Sequence, residues 1–324
     1  MKNIKNEHVP VMLENVLSHF AVLADSYAQN GFCYFIDFTF GLGGHSAALL
    51  QKYDWLKVIG MDADFETCEM GRKKYSEYIN SGRLEIINGN FVNFRDLIPQ
   101  DKLSKTGMAL ADLGISNYQL LTDGRGFTFD DRTALDMRID QNSNQETAAD
   151  VVNKYRENEI ADILYEYADE KFSREIARSI IKYREKQPII SCHELAEIVR
   201  NVYKRHPAVK MDIDFATRAF MALRIFVNSE LSNLTSLLEQ TKSCLPAGAN
   251  ILIISFHSKE DKIVKNFMQQ ESRTCICPPQ IIRCICNNKP KIKCITKKII
   301  EPSAEEISSN PRSRSAKLRI FEII

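Results

Sequence analysis

Four stretches of this chain run apolar and then stop at residues able to hold a charged or hydroxylated ligand. Phe35-Ile36-Asp37 opens into Phe38-Thr39-Phe40-Gly41-Leu42-Gly43-Gly44-His45, and Lys57-Val58-Ile59-Gly60-Met61 ends at Asp62. Leu84-Glu85-Ile86-Ile87 leads to Asn88-Gly89-Asn90-Phe91, and Met108-Ala109-Leu110-Ala111 leads to Asp112-Leu113-Gly114. Buried parallel strands read as such runs, and open α/β sheets bind ligands where their strands finish. The glycines allow a tight turn and a close backbone approach before a helix begins at Ser46-Ala47-Ala48. A dinucleotide fingerprint needs a third glycine where Ser46 stands, which disfavours a nicotinamide cofactor. The series suits S-adenosylmethionine: Asp62 for the ribose hydroxyls, Phe91 against adenine, and Gly43, Gly44 and His45 beside the methionine moiety. A single strand-ending aspartate is more often a helix cap, so the ordered series carries the expectation.

Methyl transfer from a sulfonium is an in-line displacement that asks the protein to align the partners and exclude water. An exocyclic base amine is a poor nucleophile because its lone pair is delocalised, and hydrogen-bond acceptors at its N–H groups can localise it. Asp112, Ser116 and Asn117 lie where the fourth run ends and could supply them; the competing reading is a turn capped by Asp112 and Ser116. Ile254-Ser255-Phe256-His257-Ser258 follows a fifth run, and His257 could bond a base edge or take up a proton, or simply begin a helix with Glu260 and Asp261. Arg224 and Asn228 stand one helical turn apart, facing either the cleft or solvent.

Positioning these groups takes a doubly wound sheet from about Gly31 to Ser116, where strand and helix alternate. A loop rich in Asp, Gly and Arg then leads to helical periodicity at Ile160, Ile163, Leu164 and Tyr167, and Ser191-Cys192-His193-Glu194 spells a capping box. The spacing predicts one long helix from about Asp214 to Leu245, a buried strand at Ile251-Leu252-Ile253-Ile254, and late strands over Cys294 to Ile300 and Lys317 to Ile323. The fold class is α/β, a Rossmann-like methyltransferase sheet with an inserted helical domain. Residues 1–119 and 214–324 form the sheet domain and 120–213 the helical insertion for substrate recognition.

At 324 residues and 44% hydrophobic, the chain has room for a sizeable core and about two domains. The start, Met1 to His8, lacks the apolar core of a signal peptide, no run is long enough to span a membrane, and a cytoplasmic location is expected. Nine cysteines fit a reducing compartment better than a disulfide framework. Cys275, Cys277, Cys284 and Cys286 form two C-x-C units, a spacing less diagnostic of zinc than C-x-x-C; reduced cysteines in a loop are the expectation and zinc the alternative. The net charge of +1 gives no global attraction to nucleic acid, yet the tail from Arg273 carries Arg283, Lys289, Lys291, Lys293, Lys297, Lys298, Arg312, Arg314, Lys317 and Arg319. That clustering suits phosphate contacts.

His8-Val9-Pro10-Val11, Phe40-Gly41-Leu42-Gly43-Gly44-His45-Ser46, Asp112-Leu113-Gly114-Ile115-Ser116, Leu135-Asp136-Met137-Arg138, Ala216-Thr217-Arg218, Arg224 to Leu231, Ile254 to Ser258 and Asn310-Pro311-Arg312-Ser313-Arg314-Ser315 together resemble the bacterial RsmH (MraW) family. These blocks span nearly the whole chain. The resemblance implies an S-adenosylmethionine-dependent enzyme that methylates N4 of a cytidine in the decoding region of 16S ribosomal RNA, within the small ribosomal subunit. It further implies cofactor contacts at Gly43, Gly44, His45, Asp62, Phe91, Asp112 and Gln119. Two departures stand out: Phe38 replaces a usual small residue, and Asn117-Tyr118 replaces a usual Ser-Pro. The rival readings are a methyltransferase of DNA or protein, and an RNA-binding assembly factor with a vestigial cofactor pocket. Whether the substrate is naked RNA or a subunit, and whether the chain is a monomer or a homodimer, stay open at this level.

Overall fold

The computed structural model describes residues 10–142, 145–210, 213–278, 280 and 284–324; His8, Val9 and Arg283, named above, lie outside them. The chain divides into two compact units, Met1–Gly114 with Leu231–Ile324, and Ile115–Glu230.

The first unit is built on seven strands: β1 (Tyr34–Asp37), β2 (Lys57–Asp62), β3 (Leu84–Asn88), β4 (Thr106–Asp112), β5 (Asn250–Ser255), β6 (Ile292–Cys294) and β7 (Lys317–Ile323). Their order is β3-β2-β1-β4-β5-β7-β6. The first five run parallel, and β7 lies antiparallel to both β5 and β6. Side chains alternate across the sheet, so Phe35, Val58, Met108, Leu110 and Leu252 enter one core while Ile36, Ile59, Met61, Ala109 and Ile251 enter the other. Burial on both faces is why these strands read as unbroken apolar runs. Helix Leu13–Gln29 covers the first face through Val16, Phe20 and Tyr27. Helix Ser258–Glu271 covers the second through Val264, Phe267 and Met268. The architecture is the Rossmann-like α/β sheet that the sequence implied.

The second unit is helical. Helices Glu157–Ala168, Ser173–Arg184, Cys192–Tyr203 and Thr217–Val227 bury Ile160, Leu164, Ile176, Ile180, Leu195, Val199 and Leu223 in one core. Ser191 and Glu194 make the reciprocal capping box that their spacing spells.

Four boundaries differ from the sequence reading, the first being that the opening part of the sheet unit ends at Gly114 and not at 119. The single helix over 214–245 is two, Thr217–Val227 and Glu230–Cys244, because Ser229 turns the chain left-handed at φ 52°. The first of these contributes Ala219, Leu223 and Val227 to the helical core, so the unit boundary falls after Glu230 and not at 213. The strand placed over 294–300 is displaced toward the N-terminus as β6, with only a lone bridge from Ile300 to Leu318 remaining. β-branched residues in Cys294 to Ile300 gave the strand signal, but pairing with β7 decides which of them extend.

Candidate active site

The strand order reverses between β1 and β4, and the crevice at such a switch point is where an open α/β sheet takes a ligand. Asp37 is level with Gly60 on β2 and Leu110 on β4, so Asp62 and Asp112 stand two residues further on, one to each side of the chain leaving β1. That chain is held between its neighbours. Phe40 N–H donates to the Met61 carbonyl at 2.8 Å, and Asp112 N–H donates to Thr39 Oγ1 at 2.7 Å.

The turn that follows is fixed by its surroundings. Gly41 and Gly43 have φ of 53° and 74°, the left-handed region that glycine occupies without strain. Gly41 N–H donates to Asp62 Oδ2 at 2.8 Å, and Tyr75 Oη donates to the Leu42 carbonyl at 2.9 Å. A Cβ at Gly43 would lie 2.5 Å from the Tyr75 ring, and one at Gly44 would lie 2.3 Å from Pro10. The sequence reading gave these glycines to a ligand; the atoms that demand them here belong to the protein. Phe40 anchors the turn from below, its ring filling the space a Cβ would need at Gly60 and Gly71.

Three carboxylates gather at this edge with no ion-pair partner among the described residues. Asp37 accepts from Ser46 Oγ at 2.7 Å and from Thr39 N–H at 3.3 Å; burial nevertheless pushes its carboxyl up to about 6. Asp62 accepts from Gly41 N–H and, at 2.9 Å, from Asp64 N–H. Burial, opposed by those two amides and reinforced by the neighbouring acids, brings it also to about 6. Asp112 Oδ1 is buried with no hydrogen-bond partner among the described residues. Burial, then the like charges of Asp37, Glu260 and Glu306, hold its carboxyl well above the usual range. The cap of the helix after β2 is Asp64, whose Oδ1 accepts from Glu66 and Thr67, which leaves Asp62 out of that role.

The histidines have structural duties. His45 Nε2 donates to the Val11 carbonyl at 3.0 Å and ties the N-terminal segment over the turn, where Met12 N–H also donates to Glu306 Oε1 at 2.6 Å. His257 caps helix Ser258–Glu271, its Nδ1 accepting from Glu260 N–H at 3.4 Å while Glu260 Oε2 accepts from Phe256 N–H at 2.8 Å. An accepting Nδ1 leaves the proton on Nε2. That Nε2 is buried without a hydrogen bond, although Glu260 Oε1 lies 3.2 Å away, off the required line. Phe91 begins a short 3-10 turn beyond β3, half-buried against the sheet. Phe38, the bulky departure, packs in the core on Phe94 with ring centroids 5.0 Å apart and so takes no room from the crevice.

Ser116 and Gln119 belong to the helical unit. They form a capping box for helix Asn117–Leu121: Ser116 Oγ accepts from Gln119 N–H at 3.2 Å, and Gln119 Oε1 accepts from Ser116 N–H at 3.0 Å. Arg224 pairs with Glu230 through two hydrogen bonds of 2.8 and 2.9 Å, and Asn228 is buried, bonding Met137 and Ile139. Arg224 is half-buried in that pair, and Asn228 ties the chain at 137–139 to its helix. Of the basic tail, Lys289, Lys291, Lys297, Lys298, Arg312 and Arg314 are exposed, whereas Arg319 is buried against Asp261 at 2.7 Å. Asp37, Thr39, Glu260 and Glu306 stand at the candidate site, and the sequence reading did not assign them. Asp37 was visible at its strand end. Nothing local marks Glu306, which arrives from nearly 300 residues away from Met12.

The sequence profile described as the MraW methylase family matches residues 5–324. A protein of Caldicellulosiruptor saccharolyticus named ribosomal RNA small subunit methyltransferase H is 40% identical, covering 98% of this chain and 99% of its own. A protein of the same name from Carboxydothermus hydrogenoformans is also 40% identical, over 97% of each.

Proposed function

This chain belongs to the MraW methylase family, and from that premise we propose that it methylates N4 of a cytidine in the decoding region of 16S ribosomal RNA, using S-adenosylmethionine. The observation that carries the reading is the buried Asp112 Oδ1 at the switch point, without a partner among the described residues, in a group of three carboxylates that no described cation pairs with. Such a group fits a donor that bears positive charge. When bound, that donor supplies a methyl group made electrophilic by its sulfonium.

The protein's own part is placement. Asp62, its carboxylate already oriented by two backbone amides, holds the ribose hydroxyls, Phe91 offers its ring to adenine, and Gly43, Gly44 and His45 border the methionine moiety. Asp112 accepts a hydrogen bond from the cytosine amine and localises its lone pair toward the methyl group. His257, with its proton on Nε2, donates to an acceptor on the base edge and is therefore a positioning group and not the base. The exposed Arg312 and Arg314 contact RNA phosphates from a turn next to the helix that carries Glu306, the acid whose charge reaches Asp112.

The test is incubation with methyl-labelled S-adenosylmethionine and either small subunits lacking the modification or protein-free 16S RNA, followed by nuclease mapping. Label on N4 of a single cytidine is expected in at least one arm. Label on another atom, on ribosomal protein, or nowhere overturns the proposal, and the last outcome favours an assembly factor.

A further inference from the structure

Between helix Ser258–Glu271 and β6 the chain crosses from 272 to 291 without a helix or strand among its described residues. Its neck is closed by Lys291 N–H on the Glu271 carbonyl at 2.8 Å and by Asn288 Nδ2 on the Arg273 carbonyl at 2.6 Å. Beyond the neck the described apolar residues form no core, since Ile276 and Ile285 are 60% and 72% exposed. A connection of this length with no core needs another source of order.

The two C-x-C units come together there. The Sγ atoms of Cys275, Cys277, Cys284 and Cys286 all lie within 4.8 Å of one another. Cys284 and Cys286 are 3.5 Å apart, and Cys275 and Cys286 3.9 Å. A tetrahedral ion with bonds of about 2.3 Å sets its sulfurs about 3.8 Å apart, whereas an iron–sulfur cluster spreads them over several metal atoms. The second shell is reciprocal: Ile276 N–H, next to Cys275, donates to Cys286 Sγ at 3.4 Å, and Ile285 N–H, next to Cys284, donates to Cys277 Sγ at 3.5 Å. Amide donors of this kind orient and stabilise thiolate ligands. Arg273, Lys289 and Lys291 line one hollow with Ile276 and a single acid, Glu271, an excess of positive charge that suits the negative charge four thiolates around a divalent ion leave over. Cys294 stands apart, its Sγ donating to the Met268 carbonyl at 3.7 Å.

We propose that Cys275, Cys277, Cys284 and Cys286 hold one structural zinc ion that pins this basic connection against the edge of the sheet. Binding releases the thiol protons and changes no oxidation state. The sequence reading favoured plain reduced cysteines; the convergence of the sulfurs is what favours the metal.

Elemental analysis of full-length protein purified without chelator should find about one zinc per chain. Cys277→Ser and Cys286→Ser should each lose it while Cys294→Ser keeps it. Exchange of the wild-type protein with Co²⁺ should give the intense visible bands of a tetrahedral thiolate site, and removing zinc should speed tryptic cleavage at Arg273 and Lys291 by about tenfold or more. Less than about a tenth of an equivalent of zinc, with four thiols equally reactive to Ellman's reagent whether or not zinc is added, overturns the site. A red protein containing iron overturns the choice of ion.

Discussion

Asp131 in the helical unit and Asp112 at the strand edge are both acids in the protein interior, and they are treated in opposite ways. Asp131 accepts five hydrogen bonds, from the amides of Gly124, Gly126, Thr133 and Ala134 and the Thr133 hydroxyl, at 2.7 to 3.2 Å. Burial alone would raise its carboxyl, but those donors bring it below the usual range. Asp112 has an oxygen with no donor and three acids for neighbours, and its carboxyl goes up. A carboxylate that holds a fold is saturated from within the chain, whereas one kept for a ligand is left short of partners at a cost in stability.

That contrast can be broken by substitution. Asp131→Ala should destabilise the helical unit most, by about 2–4 kcal/mol, because one change orphans several buried donors. Urea unfolding followed by fluorescence would measure it, and a loss within error of zero would show that the loop 122–142 orders itself without this acid. Asp112→Asn should do the reverse, leaving stability unchanged or raised by about 1 kcal/mol while slowing methyl transfer about 100-fold. If unfolding becomes easier by the same measure, Asp112 is a structural acid and the comparison fails.

The smallest effect is in the pH dependence. Asp37 and Asp62 have folded carboxyls near 6 against an unfolded value of 3.8, so between those limits the folded state keeps protons that the unfolded state has lost. Their contribution to stability is therefore greatest below about pH 4 and declines as pH rises through 6, by roughly 1–3 kcal/mol per group. Asp150, held at about 2 by Lys154 and Thr147, acts at the other end, losing its contribution only as pH falls below the usual carboxylate range. Comparing wild type with Asp62→Asn between pH 4 and 7.5 isolates the first effect; the gap between them should widen up to about pH 6 and then level off. A constant gap would mean that Asp62 titrates normally in the folded protein.

The strand ends and the turn that make up the candidate site were legible because their signals are local. An apolar run four to seven residues long that stops at an acid, followed by glycines, is written in consecutive positions, and Asp62, Asp112 and the turn were found that way. The glycine reading was right about the turn and incomplete about the reason, since Tyr75 and Pro10 supply the crowding. His257 and Ser116 show the reverse limit: a strand-end polar residue looks the same whether it caps a helix, meets a substrate or does both, and the structure shows both of these as caps.

By itself the sequence determined which segments are strands buried on both faces, which acids end them, and the family blocks that fix the chemistry, because hydrophobic periodicity and turn chemistry act over a few residues. Tertiary structure alone decided where helix 214–245 breaks, that Glu306 bears on Asp112, and that four cysteine sulfurs meet within 4.8 Å. Those outcomes depend on which distant segments share a neighbourhood. That is settled by packing and strand pairing, whose partners no short window contains.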